Sequence, residues 1–138
     1  MPDNEKSRVV VGVDGSAESL AALEWAAEYC ERFGRQLTVM AAWHIPTEHA
    51  SAVAALREVN LEMAAGEVVE KALDQAKARH GGLDVVPSVV VGSPGKALVQ
   101  GSQDAALLVV GTKRTLGTIS SYCAHYASCP VVIVRTEK

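Results

Sequence analysis

Short apolar runs alternate along the chain with segments in which apolar residues return about every three to four positions. The first run, Arg8–Val13, is almost all valine, which is typical of a strand covered on both faces of a sheet. Apolar residues then recur at helical spacing, at Leu20, Leu23, Ala27 and Cys30. Ser16 can cap this helix and Gly34 can end it in a left-handed turn. The chain therefore opens with a strand followed by a helix.

The middle of the chain repeats this order. Leu37–Trp43 is a second apolar run, and the residues from Thr47 to about Leu56 are ambiguous, with a loop as one interpretation. Beyond them Gly81–Gly82 closes a long helix, one face of which is traced by Leu61, Ala65, Val68, Ala72 and Ala76. The third run, Asp84–Val91, contains Pro87. Since proline cannot donate a ladder hydrogen bond, this strand is predicted at an edge of the sheet.

The last third of the chain adds two helices and two strands. Ser93–Pro94 has the form of a cap and a first helical residue, and it opens a short helix. The fourth strand is Ala106–Val110, a helix follows over about 118–127, and the fifth strand is Val131–Val134. Strands and helices that alternate within one domain predict an α/β fold, an open five-stranded parallel sheet with helices on both faces, over residues 1–138.

Composition and charge narrow the class of protein further. Aromatic residues make up 4% of the chain against 49% for all hydrophobic residues, so the core must be built of Val, Leu and Ala. Thirteen Lys and Arg against sixteen Asp and Glu give a net charge of −3, without the basic stripe that is typical of nucleic-acid binders. We therefore expect no nucleic-acid partner.

The sequence also argues against a membrane protein. The uncharged stretch from Thr115 to Val134 is interrupted by serines, a histidine and a proline, which predicts a helix followed by a strand rather than a membrane span. Met1–Arg8 has no apolar signal core behind it, and the three cysteines form no C-x-x-C pair. We expect a cytoplasmic protein with buried thiols.

Known catalytic and metal-binding patterns are missing from the places where such a fold holds ligands, beyond the carboxyl ends of its strands. The turn after Val13 has no G-x-G-x-x-G, and the stretch from Gly111 to Gly117 lacks the Lys-Ser/Thr ending of a Walker-type phosphate loop. Gly92–Gly95 is one residue short of a nucleophile elbow, and the four histidines are too scattered for a metal. The sequence therefore predicts no catalytic residue, no metal site and no enzyme.

Four segments, spread in order over nearly the whole chain, carry a resemblance to a known family. They are Val9-Val-Val-Gly-Val-Asp-Gly-Ser16, Val89-Val-Val-Gly-Ser-Pro94, Leu107-Leu-Val-Val-Gly-Thr112 and Cys129-Pro-Val-Val-Ile-Val134. Together they are similar to the universal stress protein family. The resemblance implies an adenine nucleotide alpha hydrolase-like sheet of order 3-2-1-4-5, which agrees with Pro87 at an edge. It also implies a homodimer paired through the fifth strand, Val131–Val134, whose outer row of backbone groups is poorly blunted.

The family's nucleotide site carries over to this chain only in part. Many members bind ATP or AMP between strands one and four, so Asp14 would contact the nucleoside and Ala42 would lie beside the adenine. Gly111 would begin a phosphate loop that in the family has 12 residues between its outer glycines, whereas here 5 residues separate Gly111 from Gly117. The residues that remain for phosphate contacts are Thr112, Lys113, Arg114, Gly117 and Thr118.

Two functions follow from this comparison. The first is a non-catalytic stress-response protein whose adenine-nucleotide binding is weak or lost, with a tight turn in place of the phosphate loop. The second is a universal stress protein that binds ATP or AMP and hydrolyses nucleotide slowly. Asp14 can be a ligand contact or a turn carboxylate that the helix dipole favours. Tyr122 and Tyr126 are predicted to pack rather than to stack on a ligand, and Trp43 can wall a pocket or close the core.

Overall fold

A computed structural model of the protein describes residues 7–44 and 52–136, with side chains from residue 59 onward in the second range. Within these residues the strands are β1 (Val9–Gly12), β2 (Leu37–Trp43), β3 (Val85–Val91), β4 (Leu107–Thr112) and β5 (Val131–Arg135). The helices are α1 (Ala17–Phe33), α2 (Ala52–Arg79), α3 (Pro94–Gly101) and α4 (Thr118–Tyr126). The predicted alternation of strands and helices is confirmed.

All five strands are parallel and lie in the order β3-β2-β1-β4-β5. This is the α/β fold and the strand order that the resemblance implies. β3 lies at one edge of the sheet, where Pro87 is paired with Val39 of its single neighbour, so the prediction drawn from the proline is confirmed. β5 lies at the other edge and pairs with β4 alone among the described strands.

Alternate residues of the central strand β1 face two separate helical layers. Val9 and Val11 pack on the side of α1 and α2, and Val10 packs on the side of α3 and α4; all three side chains are fully buried. The helix residues buried in the first layer are mostly alanines, at Ala22, Ala26, Ala27, Ala65, Ala72 and Ala76. Because alanine is small, α1 and α2 lie close on the sheet, and the predicted core of Val, Leu and Ala is confirmed.

Local sequence sets both ends of α1 as predicted. The N–H of Ser19 donates to Oγ of Ser16 (3.2 Å), and Gly34 ends the helix with φ 67°, in the left-handed region. The beginning of α3 differs in one respect from the prediction. Ser93 is the N-cap residue and Pro94 the first helical residue, as predicted, but the side chain of Ser93 makes no capping hydrogen bond.

α2 is longer than the sequence pattern indicated. It begins at Ala52, so residues 52–56 are helix and the loop interpretation is wrong for them, while residues 47–51 lie outside the described residues. Its buried face includes Val69, but Leu61, predicted on that face, is 36% exposed. A helix of 28 residues is about 42 Å long, whereas the 7 residues of β2 span about 23 Å. The first turns of α2 therefore overhang the sheet.

One buried histidine joins α2 to α1. His80, directly after α2, is 6% exposed. Its Nδ1 lies 3.2 Å from Oε1 of Glu31, and its Nε2 lies 3.1 Å from Oε1 of Glu24. Burial lowers the pKa of His80, but the hydrogen bonds to Glu31 and Glu24 and the charges of both carboxylates outweigh this effect and raise the pKa above 6.5. The imidazolium form is therefore the one that this contact favours.

The three cysteines carry free thiols. The prediction of buried thiols is confirmed for Cys30 and Cys123 but is wrong for Cys129, which is half-buried. Burial raises the pKa of Cys30 to about 12, although the charge of Arg35 acts in the opposite direction. Burial also raises the pKa of Cys123 to about 11. Both buried thiols are therefore protonated and inert near neutral pH.

Candidate functional site

A cavity of about 150 Å³ opens at the carboxyl ends of β1, β2 and β4, surrounded by the first turns of α1, α3 and α4. The order of the sheet reverses between β1 and β4, which is where open parallel sheets hold ligands. The described lining is mostly apolar, with two acidic residues, and comprises Gly12, Val13, Asp14, Ser16, Glu18, Ser19, Met40, Ala42, Pro94, Leu98, Val110, Gly111 and Ile119.

Asp14 is held by the beginning of α1. Its carboxylate accepts hydrogen bonds from the N–H (2.9 Å) and the hydroxyl of Ser16, and its own N–H donates to Oγ of Ser19 (3.3 Å). Burial raises the pKa of Asp14, but the hydrogen bonds with Ser16 and Ser19 outweigh it, so the pKa lies below 3.8. The carboxylate is charged at neutral pH. It stabilises the turn before α1 through its hydrogen bonds with Ser16, and Asp14 also lines the cavity.

Gly111 lies where β4 passes the first turn of α1, and the backbone there leaves no room for a side chain. A Cβ on Gly111 would collide with the carbonyl oxygen of Glu18 and lie 3.0 Å from the amide nitrogen of Ser19. Glycine therefore allows β4 and α1 to meet and to form one wall of the cavity. Ala42, near the end of β2, lies on the wall beside Asp14.

The turn between β4 and α4 is closed by hydrogen bonds of its own. The buried hydroxyl of Thr112 donates to the carbonyl oxygen of Thr115 (2.6 Å) and accepts from the N–H of Gly117 (3.3 Å). The same N–H also donates to Oγ of Ser120 (2.9 Å). Lys113 and Arg114 are exposed. The hydroxyl of Thr112 and the N–H of Gly117 are thus already engaged by hydrogen bonds within the turn and the first turn of α4.

Three of the eight predicted site residues come together at the cavity, namely Asp14, Ala42 and Gly111. The other five are absent from its described lining; they are Thr112, Lys113, Arg114, Gly117 and Thr118. Sequence reasoning did not identify Ser19 or Glu18 as lining residues. The two serines three positions apart, Ser16 and Ser19, are a signal that could have placed the first turn of α1 at the site.

The aromatic residues near the site divide as follows. Tyr122 packs against α3, where a Cβ on Gly95 would lie 3.0 Å from the ring of Tyr122. The prediction that Tyr122 packs is confirmed. The ring of Tyr126 lies 4.6 Å from that of Tyr122, and Tyr126 is 59% exposed. Trp43 lines a neighbouring, more open cavity of about 290 Å³, which shares Asp14 with the first one. Trp43 also packs against the core on the side of α1 and α2, so it both closes the core and walls this cavity.

Two other kinds of functional feature, a metal site and a membrane-spanning helix, were sought in the described residues. Across residues 7–44 and 52–136, with side chains from residue 59 in the second range, His, Cys, Asp and Glu form no group of three that could hold a metal ion. In the same part of the chain, no helix combines the length and the apolar character that crossing a membrane requires.

Comparison with known proteins gives a consistent result. A family model described as the universal stress protein family matches residues 6–135. A universal stress protein of Mycobacterium bovis is 32% identical over 149 residues, which cover 98% of this chain and 48% of the relative. The chain thus spans about half the length of the curated relatives it matches.

Solved structures agree with this assignment. The universal stress protein of Lactobacillus plantarum superposes with a TM-score of 0.80 at 21% identity, covering 94% of this chain and 98% of that one, and it supports the fold. A universal stress protein solved in complex with cAMP is 29% identical, with a TM-score of 0.71 over 93% of this chain and 96% of that one. With sheet order, sequence match and superposition in agreement over nearly all of its length, the chain belongs to the universal stress protein family.

Proposed function

We propose that this chain is a non-catalytic stress-response protein in which adenine-nucleotide binding is weak or lost. The observation that carries the proposal is the closed turn after β4. The N–H of Gly117 is already shared between Thr112 and Ser120, and the hydroxyl of Thr112 is engaged by Thr115. A phosphate at this turn would have to compete with hydrogen bonds that the fold already makes.

The size of the effect follows from the missing donors. A backbone N–H that donates to a charged oxygen contributes roughly 1.5–3 kcal/mol. Without two such donors a nucleotide would lose roughly 3–6 kcal/mol, on the order of a hundredfold to ten-thousandfold in affinity. A micromolar site would thereby become one of about 0.1 mM or weaker.

A second function, an ATP- or AMP-binding protein with slow hydrolysis, is favoured by one observation. The solved universal stress protein at 29% identity holds cAMP, and the cavity of this chain lies at the point in the sheet where a nucleotide would be expected. Against hydrolysis, the hydroxyl of Ser16 is committed to Asp14, and the described lining of the cavity contains no histidine that could act as a base.

Equilibrium binding separates the two functions. Ligand-free protein is titrated with ATP and AMP at physiological salt, and turnover is then measured at saturating ATP. We expect dissociation constants of about 0.1 mM or weaker and no turnover. A sub-micromolar constant for ATP would contradict the proposal; Lys113→Ala and Arg114→Ala together should then weaken binding sharply, because these cations would have to replace the missing amides.

We also propose a cytoplasmic location, with no nucleic-acid or membrane partner. The free thiols of Cys30, Cys123 and Cys129 suit a reducing compartment. The net charge of −3 gives no electrostatic attraction to a phosphate backbone. Fractionation of the native host cell with antibody detection tests the location, and recovery in the membrane pellet would contradict it.

We further propose a homodimer paired through β5. The N–H of Leu108 donates to the carbonyl of Pro130, and the N–H of Thr136 donates to the carbonyl of Thr112. The N–H and C=O groups of successive residues point to opposite sides of a strand. In β5 the N–H and C=O groups of the even-numbered residues therefore point toward β4. The N–H and C=O groups of Val131 and Ile133 therefore point outward, where a second copy running antiparallel would satisfy them.

A row of aromatic side chains on α1 supports this surface. Trp25, Tyr29 and Phe33 stack in sequence, with ring centroids 5.4 and 4.7 Å apart, and Trp25 and Phe33 are 37% and 59% exposed. Glu24 and Glu31 face α2 through His80, so the row lies on the other side of α1, toward β5. In a sheet continued through β5, the two copies of α1 would lie about 15 Å apart, a gap that long aromatic side chains can bridge.

Proline at Ile133 tests the pairing. Ile133→Pro removes an outward N–H and leaves the ladder to β4 intact, so we expect sedimentation to change from twice 14.5 kDa to a single copy. Ile133→Ala removes more of the side chain than Ile133→Pro does but keeps the N–H, and it should remain dimeric. A monomeric wild type at micromolar concentration, or a dimeric Ile133→Pro variant, would contradict this mode of pairing.

A further inference from the structure

We propose that the outer edge of β3 binds an extended segment of another protein as a sixth strand of the sheet, and that basic and β-branched residues alternate along this segment. The surface consists of residues 88–91 of β3 and of Glu62, Gly66 and Glu70 on the adjoining flank of α2, and we call it the β3 edge. None of these residues belongs to the described lining of the cavity beside Asp14. β5, through which the homodimer is proposed, lies at the opposite edge of the sheet.

The backbone of β3 leaves one row of hydrogen-bonding groups without a partner in the sheet. The N–H of Gly92 donates to the carbonyl oxygen of Trp43 (2.8 Å), so the N–H and C=O groups of the even-numbered residues of β3 point toward β2. The groups of the odd-numbered residues point to the other side, where no strand among the described residues lies. Because Pro87 has no N–H, the outward donors in the second half of β3 are the N–H groups of Val89 and Val91.

The side chains of Val89 and Val91 lie on the face of the sheet that carries α2. They are paired in register with Ala41 and Trp43, which pack on that face. Val89 is nevertheless 39% exposed and Val91 70% exposed. Edge strands are normally guarded by charge, proline or a bulge, whereas β3 carries no charged residue and its proline protects only the first half. The second half therefore offers both backbone donors and apolar surface to another strand.

The flank of α2 beside β3 is acidic and contains open space. α2 packs on β2 and β3, and its residues Ala64 and Val68 line a cleft on the side that faces α1. Glu62, Gly66 and Glu70 lie two positions from these residues, which is about 200° around a helix. They are therefore on the opposite flank, beside the outer edge of β3. Both glutamates are exposed, and a Cβ on Gly66 would meet nothing within 4 Å.

These features define the residues of the added strand. Side chains of a strand point alternately to its two faces. On the face of α2, long basic side chains would lay their aliphatic stems on Val89 and Val91. Their charged ends would then lie on the side of Glu62 and Glu70. On the other face, β-branched residues would pack beside Val90 and favour the extended conformation.

A second copy of the chain is a poor occupant of this edge. Pairing of two copies through β3 would bring Glu62 and Glu70 of one copy toward those of the other, and like charges repel. The cation farther along this flank, Lys77, lies about 10 Å from Glu70 along the helix, beside the first half of β3. Copies that paired through both edges would also continue the sheet without closing, as a fibre. A basic segment neutralises the flank, and its own charges guard the new edge.

Hydrogen exchange with a designed peptide tests the proposal. A peptide of about eight alternating lysine and valine residues, blocked at both ends, is titrated into the isotope-labelled protein. We expect the amides of Val89 and Val91 to exchange at least about tenfold more slowly, whereas those of Ser88 and Val90, which already bond to β2, change little. A peptide with glutamate in place of lysine should bind about tenfold or more weakly. A peptide of the same composition with its lysines in one block should also bind more weakly, because the alternation is lost.

Reversal of charge on α2 identifies the groups responsible. Glu62→Lys together with Glu70→Lys should weaken the lysine–valine peptide by about tenfold or more and strengthen the glutamate–valine peptide. Glu28→Lys together with Asp104→Lys is the matched control, because it changes the net charge by the same amount at exposed residues outside α2 and β3. This control should keep the preference for the lysine–valine peptide.

A second pair of variants tests the backbone. Val89→Pro removes an outward N–H and leaves the ladder to β2 intact, so it should lose the peptide. Val89→Thr keeps the N–H in a side chain of similar size, and it should still bind the peptide. If Val89→Pro does not fold, the reversal of charge decides the question alone.

Four results would overturn the proposal. Three of them are unchanged exchange of Val89 and Val91 at millimolar peptide, equal affinity for the lysine and glutamate peptides, and retention of the peptide by a folded Val89→Pro variant. The fourth is slower exchange of the same two amides as the concentration of the free protein rises, because the edge would then belong to a second copy of the chain.

Discussion

Replacing His80 with glutamine is expected to destabilise the protein at about pH 6 and to have a much smaller effect at about pH 9. Both ring nitrogens of His80 lie within hydrogen-bond distance of a carboxylate, Nδ1 with Glu31 and Nε2 with Glu24. A carboxylate only accepts, so the contact is complete only when both nitrogens carry a proton. Glutamine can donate from one amide group and carries no charge.

The size of the loss can be bounded from the geometry. Each hydrogen bond to a charged partner is worth roughly 1.5–3 kcal/mol, less the cost of burying the imidazolium. The side chains of Glu24 and Glu31 are 30% and 55% exposed, so water screens both interactions. A guanidinium nitrogen of Arg79 lies 3.9 Å from Oε2 of Glu24. It leaves Glu24 with one positive partner when the charge of His80 is removed. We expect a net loss of about 1–2 kcal/mol at about pH 6, or roughly 4–8 °C in Tm.

The direction of the pH dependence follows from the raised pKa. The pKa of His80 in the folded protein lies above 6.5, the value expected in the unfolded chain. The stabilisation is therefore fully present below about pH 6.5 and is lost as the pH rises through the folded pKa. Urea unfolding of wild type and His80→Gln at several values between about pH 6 and pH 9 measures this, and NMR titration of the ring reports the pKa directly.

A double-mutant cycle isolates the interaction. Glu31→Gln should lose most of its effect in the His80→Gln background, whereas Glu28→Gln, an exposed glutamate of the same helix, should have equal effects in both backgrounds. If His80→Gln costs the same stability at both ends of the pH range, or if the ring titrates below 6.5, this account of the contact is refuted.

Three further predictions concern packing, the turn and the thiols. Gly111→Ala should lower the free energy of unfolding in urea by about 1–3 kcal/mol, because its Cβ would collide with the backbone of α1. Gly66→Ala, in open space within α2, should raise that free energy by about 0.5–1 kcal/mol, and equal effects of the two substitutions would contradict the prediction. Thr112→Val should cost about 0.5–1.5 kcal/mol and speed amide exchange in the turn, since the carbonyl of Thr115 loses its hydroxyl donor and the N–H of Gly117 keeps only Ser120; unchanged exchange would count against it. A thiol reagent at about pH 8 should modify Cys129 quickly in the native protein and Cys30 only after unfolding, since burial raises the pKa of Cys30 to about 12; rapid native labelling of Cys30 would be the contrary result.

The local pattern of residues determined most of the fold. Nearly continuous apolar runs predicted β1, β2 and β4 as strands covered on both faces, Ser16 and Gly34 fixed the ends of α1, and Pro87 placed β3 at an edge. These features depend on backbone propensities and on periods of a few residues, which a single sequence displays directly. The order of the strands came from the resemblance to a family, since periodicity alone does not say which strands are neighbours.

The candidate site was decided by contacts between residues that are distant in sequence. Asp14, Ala42 and Gly111 could be named from motifs, but only the packing of β4 against α1 shows that Glu18 joins them and that the predicted cations do not. His80 and Glu31 lie 49 residues apart in the sequence, and the residues around each of them do not predict that they pair. Such contacts form only when the helices have docked on the sheet. A charge or hydroxyl that is then buried needs a partner, and the tertiary structure decides which distant residue supplies it.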